Sequence, residues 1–359
     1  MTRVLMVGHS NGRPGPSDQL AFRLLATGHL ITMIRHPLDG YSGRSSKVTV
    51  DGHVVCSLSR RGKLAPNLVI DALLNVLLLL RYQGDVTLAD TNLDTATVLV
   101  VRKVLRRPRG RVVYFAVDYS DRRFDNPVIE QVFRWTEDFC LRHADVVVSN
   151  SQRAEAARLG RGLAPARSLV TPNPASVPPP VPRKSIDRGA FIYVGSVTRE
   201  HGLHELIEVL RPVMRRLVVI GDGPDWARVK ALCRDIEIDV ELHRHKSHPF
   251  VVAQLAKFSG FGLAPYNSSM SWTRYCSPMK VSEYVASGVP VLMSDVPEIA
   301  AQVAAEHLGA VYSQDDPTEA LRAWRGADLD GFAGRAAAFH EAYRPESVYA
   351  PLLVELDRL

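Results

Sequence analysis

Six prolines fall within twelve residues in Thr171-Pro-Asn-Pro-Ala-Ser-Val-Pro-Pro-Pro-Val-Pro182, so neither a helix nor a central strand can run through that stretch. Such a segment is extended and semi-rigid, a connector between cores and not part of one. It lies near the middle of 359 residues, a length beyond one ordinary hydrophobic core. On either side, apolar runs of strand length alternate with helix-length segments, the pattern of parallel sheets with crossover helices. The spacing therefore predicts two Rossmann-like α/β domains, over residues 1–172 and 186–335. A linker over 173–185 joins them, and an amphipathic C-terminal segment over 336–359 follows.

In the first half, Val4–Val7 reads as a buried strand and Gly8-His-Ser-Asn-Gly-Arg-Pro-Gly-Pro16 as a glycine-rich loop after it. A helix near Ser17–Ala26 and a strand at His29–Ile34 complete the opening unit. The loop is not G-x-G-x-x-G, so a dinucleotide fingerprint is absent. Val48–Leu58 alternates weakly as one further strand, and Arg111–Val117 is a strand leading into Asp118-Tyr-Ser-Asp-Arg-Arg-Phe-Asp-Asn126. Ligand sites of open parallel sheets lie at the carboxyl ends of strands, which makes Asp118 a candidate for chemistry, with a turn-closing aspartate as the alternative. Asp121 is the next candidate. In the second half, a strand at Phe191–Gly195 ends in a glycine and one at Leu217–Ile220 runs into Gly221.

Charge is uneven. Residues 1–184 carry 26 Lys and Arg against 15 Asp and Glu, a net of +11, while residues 185–359 carry 18 against 23, a net of −5. A basic half points to an anionic partner. Nucleic acid is not expected, because the clusters Arg60-Arg61-x-Lys63 and Arg102–Arg111 lack interleaved aromatics and a binding motif. An anionic membrane surface is the better candidate, since Leu68–Leu80 (LVIDALLNVLLLL) follows the first cluster. Broken by Asp71 and Asn75, that run is too short to span a bilayer. It is either a buried core helix, the commoner case, or an interfacial one. Four scattered cysteines without metal or disulfide spacing fit free thiols of a cytoplasmic protein, and MTRVLMVGHS reads as a first strand and not a signal peptide. His243–His248 (HRHKSH) gathers histidines without a suitably spaced Cys or carboxylate, so no metal site is expected.

The most informative stretch is Cys276–Val296, CSPMKVSEYVASGVPVLMSDV. Ser277 suits an N-cap, Pro278 the first helical position and Ser287-Gly288 the helix end, before a buried strand at Val289–Met293. Lys280 then sits in the first turn, where a cation is unfavourable unless an anion binds over the free amides. Glu283, three residues on, shares its face. A cation over exposed amides beside a carboxylate suits a phosphate with an attached sugar diol, while a solvated surface pair is the plainer alternative.

The pattern Ser277-Pro-x-Lys-x-x-Glu-Tyr-x-Ala-x-Gly-x-Pro-Val291, followed by Asp295-x-Pro-Glu-Ile299, resembles the donor-site signature of GT-B glycosyltransferases, family 4 and its relatives. The resemblance covers nearly the whole chain. It implies two Rossmann-like domains facing each other across a cleft, the first for the acceptor and the second for the donor, with the C-terminal helix crossing back. The implied reaction is metal-independent, hexosyltransferase-type transfer from a nucleotide-diphosphate sugar to a sugar or lipid-linked acceptor hydroxyl, without a further cofactor. That chemistry belongs to polysaccharide, glycolipid or glycoconjugate biosynthesis, in the cytoplasm or peripherally on the inner face of the plasma membrane. Donor contacts are implied at Gly195, Ser196, Arg199, Gly221, His245, Ser277, Met279, Lys280, Val281 and Glu283, with Glu283 on the ribose and the amides near Lys280 and Val281 on the diphosphate. Gly8, His9 and Ser10 are the implied acceptor wall, and Asp118 with Arg123-Phe124 matches an Asp-Tyr-x-x-x-Arg-Phe subgroup.

Three positions depart from the family. Ser196 and His201 stand where an Arg and a Lys hold the diphosphate, and Tyr275 replaces the first Glu of E-x7-E. An inverting mechanism with Asp118 as base is therefore carried beside the retaining one. A nucleotide-sugar 2-epimerase, or a weakened subunit binding lipid or a partner transferase, are the alternative functions.

Overall fold

The computed structural model describes residues 1–10, 15–37, 45–59, 64–106, 110–181, 185–234 and 236–358. The cations Arg60, Arg61, Lys63, Arg107 and Arg109, residues 11–14 of the first loop and Pro182 lie outside them. The chain forms two compact units, Met1–Pro172 with Tyr349–Leu359, and Asn173–Val348.

The first unit runs β1 (Arg3–Ser10), α1 (Pro16–Ala26), β2 (Leu30–Pro37), β3 (Ser45–Val50), β4 (His53–Ser59), α2 (Leu64–Arg81), β5 (Val86–Ala89), α3 (Asn92–Leu105), β6 (Arg111–Ala116), α4 (Pro127–His143), β7 (Val146–Ser149), α5 (Gln152–Gly160) and β8 (Ser168–Val170). Its sheet has the order β4-β3-β2-β1-β5-β6-β7-β8. β3 pairs antiparallel with β2 and β4, and the other neighbours are parallel. Val48–Leu58 is a hairpin and not one strand: Asp51 and Gly52 both take positive φ (47° and 86°), the backbone of a two-residue Asp-Gly turn. Gly8, His9 and Ser10 also differ from expectation. They are strand residues paired with Arg35, His36 and Pro37, because β1 keeps its register with β2 over eight residues.

Helix α2 turns its polar side inward. Asp71, Asn75 and Leu79, four residues apart, are buried, while Val69, Ile70, Leu73, Leu77 and Leu80 are 41–64% exposed. The expected core helix is thus core on one side only. What holds its inner side is a buried polar network. His9 places Nδ1 3.0 Å from Asp94 Oδ2 and Nε2 3.3 Å from Asp71 Oδ2. His36 Nε2 donates to Asn75 Oδ1 at 2.8 Å, and Asn75 Nδ2 donates to Asp94 Oδ1 at 2.9 Å. Burial alone would push the His9 pKa down, but Asp94 and Asp71 more than offset it and raise it to about 10.

The second unit runs β9 (Ala190–Ser196), α6 (Leu203–Leu210), β10 (Arg216–Asp222), α7 (Trp226–Arg234), β11 (Asp239–His243), α8 (His248–Lys257), β12 (Phe261–Ala264), α9 (Trp272–Tyr275), α10 (Met279–Ala286), β13 (Val291–Ser294), α11 (Ile299–Ala305), β14 (Gly309–Tyr312), α12 (Glu319–Arg325) and α13 (Phe332–Tyr343). Its six strands are all parallel, in the order β11-β10-β9-β12-β13-β14. Successive residues of β9 and β10 face opposite cores, Ile192 and Val218 on one face, Phe191, Tyr193, Leu217 and Val219 on the other. Ala175 and Val177 of the proline-rich stretch pack into the first of these cores. In α14 (Pro345–Asp357) the residues from Tyr349 on belong to the first unit, where Tyr349 donates to the Pro16 carbonyl at 3.0 Å and Glu355 accepts from Arg111 at 2.8 Å.

Candidate active site

The strand order of the second unit reverses between β9 and β12, and a ligand crevice opens at the carboxyl ends of strands beside such a reversal. Gly195 and Ser196 end β9 there, and Tyr266 follows the end of β12. Helix α10 delivers Lys280 to the same place. The Lys280 ammonium donates to the Tyr193 hydroxyl at 3.2 Å and lies 4.3 Å from the centre of that ring and 5.1 Å from the Tyr266 ring. Among the described residues no carboxylate pairs with it. Burial brings its pKa down to about 7, since a desolvated ammonium loses more than two ring faces return.

Gly195 makes room for this lysine. Its φ is +134°, and a Cβ there would stand 3.2 Å from Lys280 Cε and Nζ. Gly221 serves a different end from the one expected. A Cβ on it would sit 1.9 Å from the Gly195 carbonyl oxygen, so its absence lets β10 pack against β9. His201 completes the setting, at a position where the sequence resemblance implied a cation. Its Nδ1 donates to the Ser196 carbonyl at 2.8 Å, and its ring meets Tyr266 and Trp272 edge-on. Burial and then the charge of Lys280 bring its pKa down to about 3, so it stays neutral.

The start of α10 also differs from the reading above. The N-cap is Pro278 and the helix begins at Met279. Ser277 is buried, with its hydroxyl accepting from the Asn173 amide at 3.0 Å. The amides of Val281 and Ser282 both turn back to the Pro278 carbonyl, at 3.0 and 3.4 Å. The first-turn amides of Met279 and Lys280 are therefore the pair left for an anion, and that of Val281 is not.

Glu283 is buried, not solvated, and its Oε1 accepts from His248 Nε2 at 2.7 Å. That hydrogen bond raises the His248 pKa despite partial burial. The other histidines of the 243–248 segment also face carboxylates: His243 lies 3.2 Å from Glu241, and His245, at φ +50°, lies 3.0 Å from Asp222. Among the described residues no three His, Cys, Asp or Glu side chains gather as a metal site. Arg199 is exposed on a 3-10 turn, and its polar contacts run through its carbonyl.

Tyr284 fixes α10 on the sheet. Its buried hydroxyl accepts from the Val194 amide at 2.7 Å, and its ring fills the space where Gly262 lacks a Cβ, 2.4 Å from the position such an atom would take. The aromatic pair around Lys280 was missed from the sequence. Strand alternation does put Tyr193 on the face of Gly195, and that signal could have found it.

Solved structures match this arrangement of strands and helices over the full length of the chain. The chain has the GT-B fold. Residues 188–325 match the family model described as Glycosyl transferases group 1. A sucrose-phosphate synthase from Thermosynechococcus elongatus is similar at TM-score 0.72 and 16% identity, covering 100% of this chain and 98% of that one. Anabaena HepE in complex with UDP is similar at TM-score 0.67 and 14% identity, covering 99% and 100%. The lipopolysaccharide outer core galactosyltransferase WaaB is similar at TM-score 0.65 and 15% identity, again covering 99% and 100%. No curated protein matches the chain in sequence.

In the first unit the GT-B sheet reverses at β1 and β5, where the implied acceptor wall lies. The His9 side chain there is 4% exposed and held by two carboxylates, so it offers no surface to an acceptor. Gly8 packs against Asp90 and Arg35, where a Cβ would stand 2.2 and 2.6 Å from their side chains. Asp118, by contrast, is exposed just beyond β6. Its carbonyl accepts from the fully buried Arg158 at 2.9 Å, which pins the backbone and leaves the carboxylate outward. A basic hollow lined by Arg3, Arg102 and Arg111 lies at the amino ends of the strands, and its cations pair with Asp85, Asp145 and Glu355.

Proposed function

We propose that the protein is a glycosyltransferase whose second unit binds a nucleotide-diphosphate sugar and whose Asp118 takes the proton of the acceptor hydroxyl. The observation that carries the donor assignment is Lys280, a first-turn ammonium between two tyrosine rings with no carboxylate partner among the described residues. The diphosphate would lie over the Met279 and Lys280 amides with that ammonium, and Glu283, oriented by His248, would take the ribose hydroxyls. Neutral His201 adds no charge there, so Lys280 is the principal cation. No metal is assigned a role, because the helix amides and Lys280 supply the positive charge for the departing diphosphate. HepE structures hold UDP, UDP-glucose, and UDP with glucose, which makes UDP and UDP-glucose the first probes.

Lys280→Ala and Glu283→Ala should each weaken UDP binding by about 1–3 kcal/mol in calorimetry, the range for charge-assisted hydrogen bonds. Glu283→Gln is the milder companion, since the alanine leaves a gap in a buried site. Unchanged affinity in the Lys280 and Glu283 variants alike would overturn the donor assignment. Acceptor-dependent release of UDP from UDP-sugar then separates a transferase from an epimerase.

The same site predicts a pH dependence. Free Lys280 titrates near 7, and a bound diphosphate favours its charged form. Affinity for UDP-glucose, whose diphosphate diester does not titrate in this range, should fall as pH rises through about 7, by up to about tenfold per unit. Binding at mildly alkaline pH should take up a proton, seen as a heat that varies with the buffer's ionisation enthalpy. Lys280→Ala should abolish that uptake, and an uptake that survives it would assign the proton elsewhere.

A further inference from the structure

We infer that Asn173, the first residue of the second unit, is a positioning residue for the donor's diphosphate, holding the start of α10 so that the Met279 and Lys280 amides face the anion. This rests on the donor assignment above and concerns how that seat is held in place. The helix cannot hold its own start. Its N-cap is Pro278, which has neither a hydroxyl nor an amide proton to offer, and among the described residues no side chain caps it. Ser277 is turned the other way and buried, and there Asn173 grips it twice. The Asn173 main-chain amide donates to the Ser277 hydroxyl at 3.0 Å, and its Nδ2 donates to the Ser277 carbonyl at 2.6 Å.

The second of these bonds fixes the plane of the Ser277–Pro278 peptide, because it holds that peptide's oxygen. The proline ring then sets φ at −71°, so a single torsion, the Pro278 ψ of 109°, separates that plane from the Met279 amide. The Val281 and Ser282 amides set this torsion in turn, since both reach back to the Pro278 carbonyl. Every link from Asn173 to the first free amide is thus determined. Asn173 is itself a firm anchor. Pro172 locks the φ before it, Pro174 restricts its own backbone, and the Ala175 amide donates to the Tyr343 carbonyl at 2.8 Å, with Ala175 fully buried in the core. Asn173 and Ser277 are 8% and 7% exposed, so water does not replace these bonds. A linker could be tied to the core anywhere, but this one is tied to the peptide just before the seat. The body of the helix has a separate anchor in Tyr284, next to Glu283. Loss of the grip should therefore loosen the seat of the diphosphate and spare that of the nucleoside.

The test compares UDP with uridine, which lacks the diphosphate, by calorimetry on the full chain. Asn173→Ala should weaken UDP about fivefold, the worth of one neutral hydrogen bond, and Asn173→Ala/Ser277→Ala roughly tenfold or more. Uridine affinity should stay within about twofold of the parent in both variants, since their effect is confined to the amides over the diphosphate. If the double variant does not fold, the single one decides. Equal losses for UDP and uridine would make the grip a structural tie alone and overturn the inference, as would UDP affinity unchanged in the variants. A parent chain that binds no UDP would overturn the donor assignment and this inference with it.

Discussion

His9→Leu is expected to destabilise the first unit by about 3–5 kcal/mol, because it removes the cation between two buried carboxylates. Asp71 and Asp94 would each lose a hydrogen bond and remain in a site too dry to ionise cheaply. Urea unfolding followed by hydrogen exchange in first-unit peptides measures the loss. Changing Asp71 and Asp94 to Asn in the same variant should recover much of it, since no charge is then stranded. The wild-type chain should show the linked pH effect. Folded His9 titrates near 10 against an ordinary value of 6.5, so its stabilisation is full below about 6.5 and is lost as pH rises through about 10. A His9 variant of unchanged stability but impaired acceptor use would restore His9 to the acceptor wall.

Asp118→Asn should lower transfer by about 10²–10⁴-fold while UDP affinity stays constant, the range for removal of a general base. The amide keeps the shape, and the Arg158 hydrogen bond goes to the main-chain carbonyl, so the fold should not respond. The product of the parent enzyme should carry the inverted anomeric configuration. A variant that stays active and gives retained configuration would remove Asp118 as base. One that loses stability before turnover would make it a turn residue.

What could be read from the sequence was local. Lys280, Glu283 and the helix between them follow from a proline, a serine–glycine stop and an apolar run within about twenty positions. The proline-rich segment and the strand–helix alternation carried the fold in the same way. What could not be read depends on approach through space. Tyr266 reaches Lys280 only because β12 lies beside β9, and Ser277 gave up its capping role because the Asn173 amide occupies its hydroxyl. The short β8 and β14 offer three and four residues, too few for a period to register. The Asp51-Gly52 turn was legible and was passed over. In α2 the thirteen-residue apolar run hid its own orientation, although Asp71 and Asn75, four apart, marked the inward side.

Tyr284 has a consequence for what ligand entry must cost. The ladder between β9 and β12 joins only Phe191 with Phe261 and Ile192 with Gly262. One step further the Val194 amide is already satisfied by the Tyr284 hydroxyl. The two strands thus part company before the site begins, with a side chain closing the fork that a carbonyl would otherwise close. No backbone hydrogen bond of the sheet therefore has to break for a molecule to pass between the two strand tips. Tyr284→Phe would strand that amide and invite the fork to zip shut or fray, altering access to Lys280 from beneath without touching a single group that faces the ligand.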